Sequence, residues 1–163
     1  MLFLKSVFFL IIVPGTVTLV IPYFILLDGS AVNLGHWAAQ QWLGSIAILL
    51  GAAILLRCVW DFASVGRGTL APIDPPKELV VGGLYRYVRN PMYVGVLLLL
   101  LGEAALFQSA ALVRYATGWL VVIHLVVVFY EEPVLRHRFG ESYDRYCLSV
   151  RRWLPGKQFE QAD

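Results

Sequence analysis

Four apolar runs, at residues 2–27, 37–60, 91–107 and 110–130, fill more than half of the 163-residue chain. A helix rises about 1.5 Å per residue, so crossing the hydrocarbon of a bilayer takes about 20 mostly apolar residues. The first, second and fourth runs meet that length and the third nearly does. What remains cannot clothe a water-facing surface: 59% of residues are hydrophobic and 15% are charged, against about a quarter charged in soluble domains. The expectation is an all-α integral membrane protein, one domain with about four transmembrane helices, a cytosolic loop and a C-terminal amphipathic helix. Pro14 and Pro22 interrupt the first run as kinks that a membrane helix tolerates. That run has one early Lys5, but its length and the lack of a small-residue cleavage site predict a retained anchor rather than a signal peptide.

The basic residues set the sidedness. Arg57, Arg67, Lys77, Arg86 and Arg89 lie between runs two and three or at their edges, and Arg136, Arg138, Arg145, Arg151, Arg152 and Lys157 follow run four. Arg114 alone falls on the other side. By the positive-inside rule, both termini, the loop 61–90 and the tail 131–163 face the cytoplasm, at the plasma (inner) membrane if the cell is prokaryotic. A net charge of +2 gives no reason to expect nucleic acid as a partner. Cys58 and Cys147 lack metal-ligand spacing and both fall at the reducing face, so two unpaired thiols are expected.

Nearly all residues capable of chemistry lie in that loop and tail. Gly66, Gly68, Pro72 and the run Asp74-Pro75-Pro76 exclude regular helix, and Gly82-Gly83 permits a turn or close approach to a ligand. Pro91 suits the first turn of the third helix, with Asn90 as its N-cap. That helix N-terminus, between Arg86 and Arg89, offers a dock for a ligand carboxylate. In the tail, Glu131-Glu132-Pro133 opens at the membrane surface. Leu135, Phe139, Tyr143 and Tyr146 then recur at helical spacing opposite Arg136, Glu141, Asp144 and Arg145, the pattern of an amphipathic helix against the membrane or the loop. Gly140 is the weak point of that helix. Glu103 reads as an interfacial or helix-packing residue. His36 and His124 read as non-catalytic, since neither has a metal-ligand partner at helical spacing.

The stretch Gly83-Leu84-Tyr85-Arg86-Tyr87-Val88-Arg89-Asn90-Pro91-Met92-Tyr93-Val94-Gly95, followed by two spans, Glu131-Glu132, Phe139-Gly140-Glu141-Ser142-Tyr143-Asp144-Arg145-Tyr146 and Val150-Arg151-Arg152-Trp153-Leu154-Pro155, resembles the isoprenylcysteine carboxyl methyltransferase family. That family belongs to a wider group that includes the phospholipid N-methyltransferases. The resemblance covers about residues 69–155. It implies a membrane-embedded enzyme that transfers a methyl group from S-adenosylmethionine to a small amphiphilic or lipid-like acceptor. Carried over by motif, the cofactor contacts are Lys77, Glu78, Leu79, Val80, Tyr85, Asn90, Pro91, Met92, Tyr93, Glu131 and Glu132. Arg89, Asn90 and Glu131 take the catalytic roles, and no metal is expected.

The chemistry suits those residue types. Arginines and a helix N-terminus suit the cofactor's carboxylate, Glu131 or Glu132 its ammonium or ribose hydroxyls, and tyrosines its adenine or sulfonium. Methyl transfer is an in-line displacement that needs alignment and exclusion of water, so no triad is expected. Two positions depart from the family. Its usual Arg-His-Pro is Arg89-Asn90-Pro91 here, which removes a histidine general base. Val127 stands where the eukaryotic prenylcysteine enzymes carry an arginine for the substrate carboxylate, which argues against a prenylcysteine acceptor. A membrane reductase using NADPH, on the likeness of some sterol reductases in their C-terminal helices, and a non-enzymatic scaffold with a vestigial pocket are the alternatives.

Overall fold

The computed structural model describes residues 12–27, 38–64, 79, 81–156 and 158–159, and apart from one isolated bridge their regular structure is helical. Helix α1 covers Ile12–Leu27 and contains an i→i+5 turn at Thr16–Val20. Helix α2 covers Ala39–Ser64, α3 Pro91–Leu106, α4 Ala110–Phe139 and α5 Glu141–Ser149. Two helices, at Ala39–Asp61 and Ala110–Phe139, are long and apolar enough to cross a bilayer, while α1 and α3 are shorter apolar helices. With 16 residues, α3 is about 24 Å long, short of the ~30 Å hydrocarbon core. The beginning of the first apolar run lies outside the described residues.

The closest helix contact is between α2 and α3, which run antiparallel and meet at glycines. Gly44 and Gly51 are seven residues apart on α2, as are Gly95 and Gly102 on α3. A Cβ on Gly44 would lie 2.7 Å from the Gly102 carbonyl oxygen, and one on Gly51 would lie 2.7 Å from that of Gly95. Both ends of the seam therefore bring backbone against backbone. In lipid, where burial of apolar surface gives no advantage of helix over tail, such contact is the main source of helix association.

The other helices add to this pair. Val17 of α1, Leu55 of α2, Val96 and Leu100 of α3 and Ala116 of α4 form a common core, and the Val17 carbonyl accepts the Tyr115 hydroxyl at 3.1 Å. A tight joint connects α3 to α4: Gln108 takes a positive φ of 53°, and the Ser109 hydroxyl caps α4 by accepting the Leu112 N–H at 3.3 Å. Cys58 and Cys147 are free thiols. Glu103 stands within α3 with its Oε2 buried and unpartnered among the described residues.

The expected amphipathic helix is instead two pieces. Gly140, at φ +52°, ends α4 and starts α5, a conformation that a side chain would resist. The apolar stripe then lies against the loop rather than the membrane: Tyr143, Tyr146 and Val150 are buried with Val81, flanked by Leu79, Leu135, Phe139 and Phe159.

Replacing Gly102 with Val is expected to destabilise the protein by about 1–3 kcal/mol through overpacking of the seam. Gly118, whose Cβ would meet nothing within 4 Å, is expected to accept Ala with no loss, or with a gain of under about 1 kcal/mol from helix propensity. Thermal unfolding of the two variants in one detergent distinguishes these outcomes.

Candidate functional site

The site is assembled from the end of α2 upward. Asp61, 3% exposed, is paired with Arg57 at 3.1 Å and accepts the Leu84 N–H at 3.3 Å. Gly83 has φ +58°, and a Cβ there would fall 1.9 Å from an Asp61 carboxylate oxygen. The close approach expected at Gly82-Gly83 is therefore to the protein's own carboxylate. A single tight turn, Gly83–Arg86, then presents Tyr85, whose phenol lies beside the Cys58 thiol.

The C-terminal tail clasps this loop. The N–H groups of Arg89, Gly156 and Phe159 donate to the carbonyls of Arg151, Tyr87 and Arg86 at 2.9, 2.8 and 3.1 Å. The Tyr146 hydroxyl donates to the Tyr85 carbonyl at 2.6 Å. Asn90 holds the N-cap position of α3, but its side chain does not cap the helix; its Nδ2 donates to the Arg152 carbonyl at 3.2 Å. The expected capping role is thus replaced by a tie to the tail.

The two adjacent glutamates meet different surroundings. Glu131 closes, and Glu132 follows, an i→i+5 turn at Val127–Glu131, a local widening often found at functional sites. Glu132 accepts from Arg152 through both oxygens, at 2.6 and 2.9 Å, and lies 3.1 Å from Arg89. Arg89 also donates to Cys147 Sγ at 2.9 Å, while its buried Nε has no partner among the described residues. Glu131 accepts the Tyr93 hydroxyl and has no cation partner among the described residues.

A cavity of about 100 Å³ lies between loop and tail, lined by Leu79, Tyr85, Arg89, Asn90, Val127, Glu131, Glu132, Leu135, Phe139, Tyr143 and Tyr146. Ordinary small-molecule pockets start near 300 Å³, so one end of a nucleoside-sized ligand fits without movement of the walls. Of the residues singled out from the sequence, Leu79, Tyr85, Arg89, Asn90, Glu131 and Glu132 share this lining. Tyr93 reaches it through Glu131. Met92 packs instead on the helical core with Leu55 and Val96, and Pro91 is buried at the first position of α3; neither lines the cavity. Lys77, Glu78 and Val80 lie outside the described residues. Arg86 is exposed, and Arg89 is already engaged by Glu132, so the pair does not form the simple anion clamp expected between them.

Three contributions went unread. Tyr143 and Tyr146 show as a stripe in the sequence, but not as cavity wall. The pairing of Arg152 with Glu132 has no local signal, being set by the path of the tail. The widened turn before Glu131 has none either. Burial pushes the Tyr143 and Tyr146 phenols above their ordinary value, with Cys147 beside the first and Tyr143 beside the second adding to the effect. Both remain neutral hydrogen-bond donors well into alkaline solution.

A family model described as phospholipid methyltransferase matches residues 39–142. The uncharacterized protein YpbQ of Bacillus subtilis (strain 168) is 29% identical over 98 residues, which are 59% of this chain. The match spans 57% of that relative, little more than half its length. No solved structure matches the chain.

Tyr146→Phe removes a buried donor and is expected to cost about 1 kcal/mol at neutral pH. The folded phenol titrates above its unfolded value of about 10, so its contribution is complete below that pH and is lost as pH rises through the folded value. Chemical denaturation from pH 8 to 11.5 should therefore show wild-type stability falling above about pH 10, with a shallower fall in Tyr146→Phe.

Proposed function

The chain belongs to the phospholipid methyltransferase family, and from that premise we propose that it is an S-adenosylmethionine-dependent enzyme methylating a small amphiphilic or lipid-like acceptor at the membrane. The observation that carries this reading is the charge arrangement of one cavity. Arg89, whose Nε finds no partner among the described residues, and Glu131, whose carboxylate has no cation partner among them, both line it. A guanidinium and a carboxylate on one cavity wall favour a ligand that carries both charges. A ligand with an α-carboxylate and an α-ammonium satisfies both, and the amino-acid end of the cofactor is such a ligand.

The residues present fit that group in kind. Arg89 and Asn90 would hold its carboxylate, Glu131 its ammonium, and Tyr85, Tyr143 and Tyr146 would pack its flat or cationic parts. When bound, the cofactor supplies an electrophilic methyl on a positively charged sulfur. The chain's part is to align the acceptor with that methyl and to keep water away, which Val127, Leu135 and Phe139 serve on the apolar wall. The Glu132–Arg152 and Glu132–Arg89 pairs hold the guanidinium of Arg89 in place without using the carboxylate of Glu131.

The proposed setting is a four-span protein whose loop and tail face the cytoplasm, where the cofactor is made available. The clustering of Arg57, Arg86, Arg89, Arg136, Arg151 and Arg152 at the loop end, with Arg114 at the far end of α4, supports that orientation. Wild-type protein in detergent is expected to bind S-adenosylmethionine, and Arg89→Ala and Glu131→Ala are each expected to weaken binding by tenfold or more. Equilibrium binding calorimetry reads this directly. Affinities unchanged in both variants would count against the site as drawn.

A further inference from the structure

The tail residues after 142 lie outside the family-matched stretch, yet one of them reaches the charged wall of the cavity through two contacts. The indole N–H of Trp153 donates to Nδ1 of His124 at 3.1 Å, and the two rings lie 6.0 Å apart. The same indole packs on Tyr93, with ring centroids 6.5 Å apart. Trp119 of α4 also contacts Tyr93, edge-on at 6.2 Å. Tyr93 is thus held by two indoles, and its hydroxyl is the donor to Glu131.

We propose that Trp153, fixed by His124, is a positioning residue: it sets the direction of the Tyr93 hydroxyl and so fixes the carboxylate of Glu131 toward the cavity. The inference rests on the reading that Glu131 meets a cationic part of the cofactor. Indole is a donor only, so its partner must be an acceptor. Nδ1 of His124 is therefore the unprotonated nitrogen of the ring. An asparagine at 124 offers an acceptor oxygen at the place of Nδ1, and a leucine offers none. Tyr93, freed on one side, gains rotamers, and the Glu131 carboxylate then loses the hydroxyl that orients it.

Anchoring the tail is not the main work of this indole. The backbone bonds of Arg89, Gly156 and Phe159, the buried Val150 and the Arg152–Glu132 pair already hold the tail to the loop and α4. Trp153→Phe keeps a ring against Tyr93 while removing the N–H, so it separates positioning from anchoring.

The test is titration of S-adenosylmethionine into the full chain in detergent, alongside the unfolding midpoint of each variant. Trp153→Phe and His124→Leu are each expected to weaken binding about fivefold, the worth of one net hydrogen bond. Their combination should be no weaker than either alone, and His124→Asn should stay within about twofold of wild type. Arg114→Gln, at the opposite end of α4, should change nothing. Wild-type binding that neither Trp153→Phe nor His124→Leu alters would overturn the inference while leaving the cofactor reading intact. Equal loss of binding in His124→Asn and His124→Leu, tracking a common fall in unfolding midpoint, would reduce Trp153 to a structural role and overturn it too. Absence of binding in wild type would instead overturn the cofactor reading, and the inference with it.

Discussion

The backbone contact between α2 and α3 is the constraint on which the rest of the structure depends. Gly44 against Gly102 and Gly51 against Gly95 fix the two helices in register and set their separation. Because the pair is antiparallel, the end of α2 is delivered to the beginning of α3, and Asp61 arrives beneath Gly83 and Leu84. The carboxylate takes the space a side chain at 83 would need and binds the turn that leads to Arg89. A larger residue in the seam would move Asp61 away from the turn, and the loop would lose its floor.

A second consequence is electrostatic. Adjacent glutamates in α4 meet opposite fates because neighbours on a helix point about 100° apart, and the widened turn closes at the first of them. Glu132 is shared by Arg152 and Arg89, which neutralises it and restrains the guanidinium. Among the described residues, Glu131 receives only the Tyr93 phenol and has no cation beside it. Burying an ion pair costs desolvation that the pairing must offset, so the bidentate geometry of Arg152 matters: it secures Glu132 without drawing on Glu131. The polarity of the cavity thus follows from where the tail crosses the loop.

Much of this was legible in the sequence, for identifiable reasons. Length and hydropathy alone mark the helices. The break at Gly140 is local chemistry and is seen as such. That loop and tail meet follows from an even number of apolar helices. Other features were not legible because they depend on three-dimensional path. Asn90 reads as an N-cap by type and position, but Arg152 competes successfully for its side chain. Met92 sits in a motif of site residues, yet its place on α3 turns it toward the helical core. The glycine seam did carry a signal, a repeat of seven on each of two helices, that hydropathy obscures because glycine is neither strongly apolar nor polar.

The central claim is that loop and tail together form a methyl-donor site serving an acceptor in the membrane. The most direct measurement is to incubate membranes containing the protein with methyl-labelled S-adenosylmethionine and follow label into the organic extract. Label is expected in an extractable amphiphile with wild-type protein, and at background with Glu131→Gln. Equal labelling with both proteins and with membranes lacking the chain would contradict the account.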